Sequence, residues 1–172
     1  TKRRKLDHLC ISIFVGDIVS VESIDFVNLR AVISNVGLRK SLITRPPVAN
    51  AKKLLVILSF KKPMLDLDQA SRFLLKAEYT NLKISLVLNK FDLVSEIEAQ
   101  NYLTRFRSWG YNPISLSVKT GLGFQTLVND LKKSQISVLC GPSGVGKTSI
   151  LNRLFPNLAL KIADISGRLQ RG

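Results

Sequence analysis

Two regimes of hydrophobic patterning divide the chain. Over 9–34, short runs rich in Ile, Val and Phe are separated by Val15-Gly16-Asp17 and by a polar break near Asp25 and Asn28. They predict strands over 9–14, 18–23 and 29–34. Strands at this spacing suggest a small barrel, but residues 1–45 hold about three of them, too few to close one. Arg45-Pro46-Pro47-Val48-Ala49-Asn50 then interrupts the pattern. Its prolines hold the backbone extended and donate no hydrogen bonds, so 46–50 is predicted to be a domain junction.

After Asn50 the period changes. The continuous apolar run over 54–60 predicts a strand buried on both faces of a parallel sheet. A helix is expected over 66–78, with Leu67, Ala70, Phe73, Leu74 and Ala77 inward and Asp66 as its cap. Further strands are expected over 84–88, 114–117 and 136–139. Further helices are expected over 96–109 (Ile97, Leu103 and Phe106 inward), 123–132 and 147–155. Strands alternating with helices predict stacked βαβ units, an α/β domain over 51–172 with a parallel sheet. Trp109, Phe106 and Phe73 read as core packing.

Composition narrows the function classes. The chain has 172 residues, enough for one domain or one and a part, and 45% are hydrophobic, as in a folded protein. No apolar run approaches the ~20 residues of a membrane span. Lys2-Arg3-Arg4-Lys5 is not followed by a signal-peptide core, so neither membrane insertion nor secretion is expected. Two cysteines, Cys10 and Cys140, and one histidine, His8, are too few for a disulfide framework, a zinc site or a Ser-His-Asp triad. Cys140 reads as a small buried strand residue and His8 as solvated. The net charge of +14 comes from 26 basic and 12 acidic residues and is spread over 1–50, 51–135 and 136–172 alike. It favours a nucleic-acid partner over a merely basic soluble protein, and Lys2 to Lys5 are candidates to touch RNA phosphate.

Gly141-Pro142-Ser143-Gly144-Val145-Gly146-Lys147-Thr148 matches the phosphate-loop pattern G-x-x-x-x-G-K-[ST] between a predicted strand and a predicted helix. Its glycines let the backbone curl so that N–H groups and the helix dipole face phosphate oxygens. Lys147 supplies a point charge to the β- and γ-phosphates, and Thr148 a hydroxyl to Mg²⁺; these two are the catalytic candidates. Ser149 completes the candidate nucleotide-binding run.

Asn89-Lys90-Phe91-Asp92 follows an apolar strand, at the carboxyl end where α/β sheets hold ligands. Asp92 can accept two hydrogen bonds from guanine, and adenine would leave its charge unpaired. Asn89 can bridge the base edge and the phosphate loop, and the Lys90 stem can cover the ring. Ser117-Val118-Lys119-Thr120-Gly121 ends the next strand, where a backbone N–H can meet guanine O6 and Lys119 can cover the other ring face. Together the segments predict guanine nucleotide binding, with GTP or GDP and Mg²⁺ as cofactors.

Their order is permuted, because ordinary GTPases place the phosphate loop first. Together with the R-P-P-V-A-N junction (45–50) and the preceding strands, the chain resembles the YjeQ/RsgA family of circularly permuted GTPases of small-ribosomal-subunit biogenesis. Val15-Gly16-Asp17 resembles a turn in that family's amino-terminal OB-fold, and Pro63-Met64-Leu65-Asp66-Leu67 the opening of its first GTPase helix. The resemblance implies a partial OB-fold-like β segment over 1–45, the 46–50 junction, and a circularly permuted GTPase domain over 51–172. It also implies GTP hydrolysis during late maturation of the small subunit, contact with ribosomal RNA, a monomer, and a bacterial-type cytoplasm or plastid stroma as the compartment.

Two positions depart from the pattern: Lys52 stands where an acidic residue is usual, and Val118 where Ala is commoner. The family continues into threonine-bearing switches, D-x-x-G and a zinc domain; 167–172 resembles only the start of the switch. Asp164-Ile165-Ser166-Gly167 fits D-x-x-G by letter but lies too close behind Lys147 for a switch and strand to intervene, and reads as a turn. The γ-phosphate sensors are therefore expected outside these residues. An RNA-binding ribosome-associated module with a vestigial nucleotide site is the alternative, and an ATP-dependent kinase or ATPase is disfavoured by Asn89–Asp92.

Overall fold

The computed structural model describes residues 12–44 and 46–158, which fall into two units divided between Lys52 and Lys53. Cys10, His8, the Lys2 to Lys5 run, Asp164-Ile165-Ser166-Gly167 and the switch-like 167–172 lie outside the described residues.

In the first unit, β1 (Val19–Asp25) and β2 (Arg30–Val36) pair antiparallel. Asp25 closes their turn by accepting from the backbone N–H groups of Val27 and Asn28 and from the Asn28 amide. β3 (Leu42–Thr44) and β4 (Pro47–Ala49) form a second antiparallel pair. Residues 47–49 of the 46–50 segment are extended and belong to this hairpin, with Pro47 opposite Thr44. Proline is tolerated there because it is the first residue of its strand. Of the strand expected over 9–14, residues 12–14 are not in a strand.

Val15-Gly16-Asp17 is a turn, with Gly16 at a φ of 91°. The Asp17 carboxylate accepts from Phe14 N at 2.7 Å and from Arg39 Nε and Nη2 at 2.7 and 2.8 Å. This fork holds the Asp17 carboxyl below the usual carboxylate range.

The second unit is a four-stranded parallel sheet in the order β7–β6–β5–β8. β5 (Lys53–Ser59) is buried at all seven positions, as its apolar run predicts for a central strand. β6 (Lys83–Asn89) flanks it on one side and β8 (Ser137–Cys140) on the other. β7 (Ile114–Ser115) is shorter than the predicted 114–117: Leu116 N still donates to Leu88 O at 2.8 Å, but Ser117 N turns to Leu122 O at 3.1 Å and starts the loop. Three further helices join α1 (Leu67–Glu78) around the sheet: α2 (Glu96–Ser108), α3 (Phe124–Leu131) and α4 (Lys147–Leu154).

Asp66 caps α1 by accepting from Asp68 N and Gln69 N at 2.8 and 3.1 Å, and Ser95 caps α2. The inward set of α2 is Ala99, Leu103 and Phe106. Ile97 is 79% exposed, which corrects its expected inward role: two residues before Ala99 lies the opposite side of a helix. Phe106 is buried edge-to-face against Trp109, their ring centroids 5.3 Å apart, and Phe73 is half-buried.

One sheet face is closed by α3 and α4 over a cluster of Leu55, Ile57, Val87, Leu116, Leu127, Val145 and Ile150. At the base of that face the fully buried Lys53 ammonium meets Asp130 Oδ2 at 2.8 Å and donates to Asp130 O at 2.6 Å. Ser85 Oγ donates to the same carboxylate at 2.7 Å. Burial alone would raise the Asp130 pKa, but the Lys53 and Ser85 hydrogen bonds outweigh it and hold the carboxyl low.

Candidate nucleotide-binding site

The three motif segments leave their strands at the same carboxyl edge of the sheet: 89–92 after β6, 116–121 after β7 and 141–148 after β8. Parallel pairing makes this convergence obligatory, because every strand ends on one edge.

Gly141 lies at a φ of 141°, and a Cβ there would stand 2.0 Å from the Ile57 carbonyl oxygen. Only glycine lets the loop leave β8 this close to β5. Gly146, at a φ of 98°, precedes α4, and a Cβ on it would come within 2.4 Å of Asn89 Nδ2. Val145 is buried in the core and anchors the loop, while Pro142, Gly144, Thr148 and Ser149 are half-buried and Ser143 is exposed. Lys147 Nζ donates to the carbonyls of Gly141 and Pro142 at 2.9 and 2.6 Å. Partial burial of the ammonium at the head of the helix lowers its pKa. Cys140, just before the loop, has its thiol pushed up to about 11 by burial, which leaves it protonated and unreactive at neutral pH.

The 89–92 segment is joined to this loop and to the 117–121 segment. Asn89, 1% exposed, donates from Nδ2 to Val145 O at 2.8 Å, and its Oδ1 is buried without a partner. Lys90 has left-handed backbone, and its ammonium donates to Gly144 O at 2.7 Å and to Lys62 O. Burial lowers its pKa. Asp92 accepts from Ser117 Oγ at 2.6 Å, and that hydroxyl accepts from Thr120 N at 3.2 Å. Ser117 is buried, Val118 half-buried and Lys119 exposed.

One contributor was not singled out by its sequence. Arg153, near the end of α4, donates to Val118 O and lies 4.7 Å over the Phe124 ring. Gly121 lets it approach: a Cβ there would sit 2.5 Å from Arg153 Nη2. No local pattern marks Arg153, because its partners lie far away in sequence.

The parallel sheet and the strand–loop–helix unit define a phosphate-loop fold, in which the 89–92 and 117–121 loops precede the 141–148 loop in circularly permuted order. The family model described as RsgA GTPase matches residues 36–172, and the chain belongs to that family. It is 50% identical over all 172 residues to the small ribosomal subunit biogenesis GTPase RsgA of Prochlorococcus marinus (strain MIT 9303), covering 54% of that protein. It is also 50% identical over its whole length to the protein of that name from Synechococcus sp. (strain CC9311), covering 57% of it. The chain thus spans about half the length of these relatives. Among solved structures, YjeQ from Thermotoga maritima superposes with a TM-score of 0.81 at 34% identity, over 93% of this chain and 57% of that one. YloQ, titled a circularly permuted GTPase, gives 0.67 at 26% identity over 85% and 51%.

Proposed function

We infer that this chain is the guanine-nucleotide-binding part of a GTPase of late small-ribosomal-subunit maturation. The observation that carries the reading is the direct linkage of the three motif segments, Asn89 to Val145 and Ser117 to Asp92, at one sheet edge. Asp92 keeps carboxylate lone pairs for the guanine N1–H and amine, while Ser117 fixes its orientation. The Lys90 and Lys119 stems cover the ring, and Asn89 ties base recognition to the phosphate loop. Lys147 and the amides of 143–149 place positive potential where phosphoryl charge develops, the electrostatic part of catalysis. The glycine curl and the Thr148 hydroxyl at the start of α4 suit a magnesium nucleotide. Mg²⁺, held through Thr148, supplies neutralisation of phosphate charge when bound.

The partial OB-fold-like segment over 1–45, the junction over 46–50 and the GTPase domain over 51–172 form the domain reading we adopt. The basic balance suits ribosomal RNA as a second polyanion, and the relatives' name supplies the small subunit as partner. A monomer in a bacterial-type cytoplasm or plastid stroma fits this role. The chain is to be titrated with fluorescent GDP, then with competing GTP and ATP. GTP should displace the probe and ATP should not, and Lys147→Ala should abolish binding. ATP competing equally would defeat the guanine assignment. RNA affinity insensitive to GTP and to Lys147→Ala, with no nucleotide binding, would favour an RNA module.

A further inference from the structure

A second site lies at the opposite end of β6 from the nucleotide motifs. β7 pairs with Val87 and Leu88, so among the described residues the stretch 83–86 has no strand partner on that edge. Beside it is a cavity of about 430 Å³, whose walls include Ile84 and Leu86 of β6, Tyr111 and Asn112, and Asn129 and Lys133 of the α3 end. That volume falls within the ~300–1,000 Å³ of ligand sites. From the cavity's nearest β6 wall residue, Leu86, three residues of β6 lead to Asn89, roughly 10 Å at ~3.3 Å per residue.

Three features specify the occupant. Open strand backbone offers N–H and C=O groups in strand register, which an extended chain satisfies and a compact anion does not. In-register residues share a face, so Lys83 and Ser85 lie on the α3 side, with Lys133 beside the cavity. Both lysines are exposed, and Lys83 is close enough to help hold the Asp130 carboxyl low. Asp130 is already engaged by Lys53 and Ser85, which leaves Lys83 and Lys133 as the charge an incoming group meets. On the alternate face Ile84 is apolar and half-buried, and Leu86 beyond it is buried.

We propose that this edge of β6 binds an extended segment of a partner protein, in which acidic residues facing α3 alternate with apolar ones. The segment adds as a fifth strand beside 83–86. This surface is separate from the nucleotide site, and its test does not depend on that site.

The probe is a set of blocked, fluorescent six-residue peptides alternating Glu with Val, Ile, Leu, Phe or Tyr, titrated by anisotropy against the full 172-residue chain. Members of the set are expected to bind. N-methylation of the backbone nitrogens that face β6 should weaken the best binder at least tenfold. So should the double variant Lys83→Gln/Lys133→Gln, which removes both charges without placing a new carboxylate beside Asp130, and Thr126→Trp, which fills the cavity. Fluorescent GDP binding should stay unchanged in both variants. Binding by no peptide of the set overturns the proposal, as does equal affinity of the N-methylated form. Equal binding of a Lys-for-Glu set also overturns it, and displacement by equimolar inorganic phosphate would reduce the site to a small-anion site.

Discussion

Asp92 and Ser117 form the bond on which base discrimination depends in our reading. Exchanging a carboxylate oxygen for an amide turns an acceptor into a donor, so Asp92→Asn should lose guanine and gain xanthine, whose C2 carbonyl accepts where guanine donates. We expect GDP affinity to fall by about ten- to a hundredfold, about 1.4–2.8 kcal/mol, with a gain for xanthosine diphosphate in the same competition assay. Equal GDP affinity of variant and parent would remove Asp92 from the site. Arg153 acts one step back, holding the 118–121 loop through Val118 O and the Phe124 ring. Arg153→Ala should weaken GDP severalfold, about 1 kcal/mol, while leaving inorganic pyrophosphate binding unchanged, since the phosphate loop does not depend on that clamp. Parallel loss of both ligands would mean that the arginine serves only the fold.

At the scale of elements, the buried Lys53 binds the start of β5 to the end of α3. Asp130→Asn leaves its ammonium with carbonyl oxygens but no charge partner. The cost should be about 3 kcal/mol in denaturant unfolding. Because the Asp130 carboxyl is held below its ordinary value, its contribution is complete above the unfolded carboxylate pKa. It is lost as pH falls through the lower folded value. The parent should therefore lose stability on acidification below about pH 4 more steeply than the Asn variant, with pH-dependent unfolding curves as the check. α1 rests on a smaller device: Asp66→Ala removes two N-cap bonds and should cost about 1 kcal/mol.

For the whole molecule, the contacts to a nucleotide's phosphates that we propose among the described residues are Lys147, Thr148 and loop amides, groups that serve a β-phosphate as well as a γ-phosphate. GDP and GTP should therefore bind this chain within about threefold, under 1 kcal/mol, by calorimetry, and GTP turnover by the chain should be slow. Robust turnover would place a γ-phosphate sensor within these 172 residues.

Much of this architecture is local chemistry and could be read along the chain. The apolar run of β5, the Asp66 cap and the glycine spacing of 141–148 each follow from side chains acting on their own backbone, over distances of a few residues. The strand–loop–helix turn over 141–148 was legible for that reason, and so were Asn89, Asp92 and Ser117 as residues at or just past strand ends. Ile97 was misjudged because apolarity alone does not say which side of a helix faces the sheet. The pairing of 47–49 with 42–44 was not legible because it is a property of two segments. Arg153 at the 118–121 loop, Lys53 against Asp130 and the open edge of β6 arise between residues distant in sequence. Such contacts depend on which strands become neighbours and in what register, and burial then sets their strength by removing water. Those relations exist only once the parallel sheet has assembled.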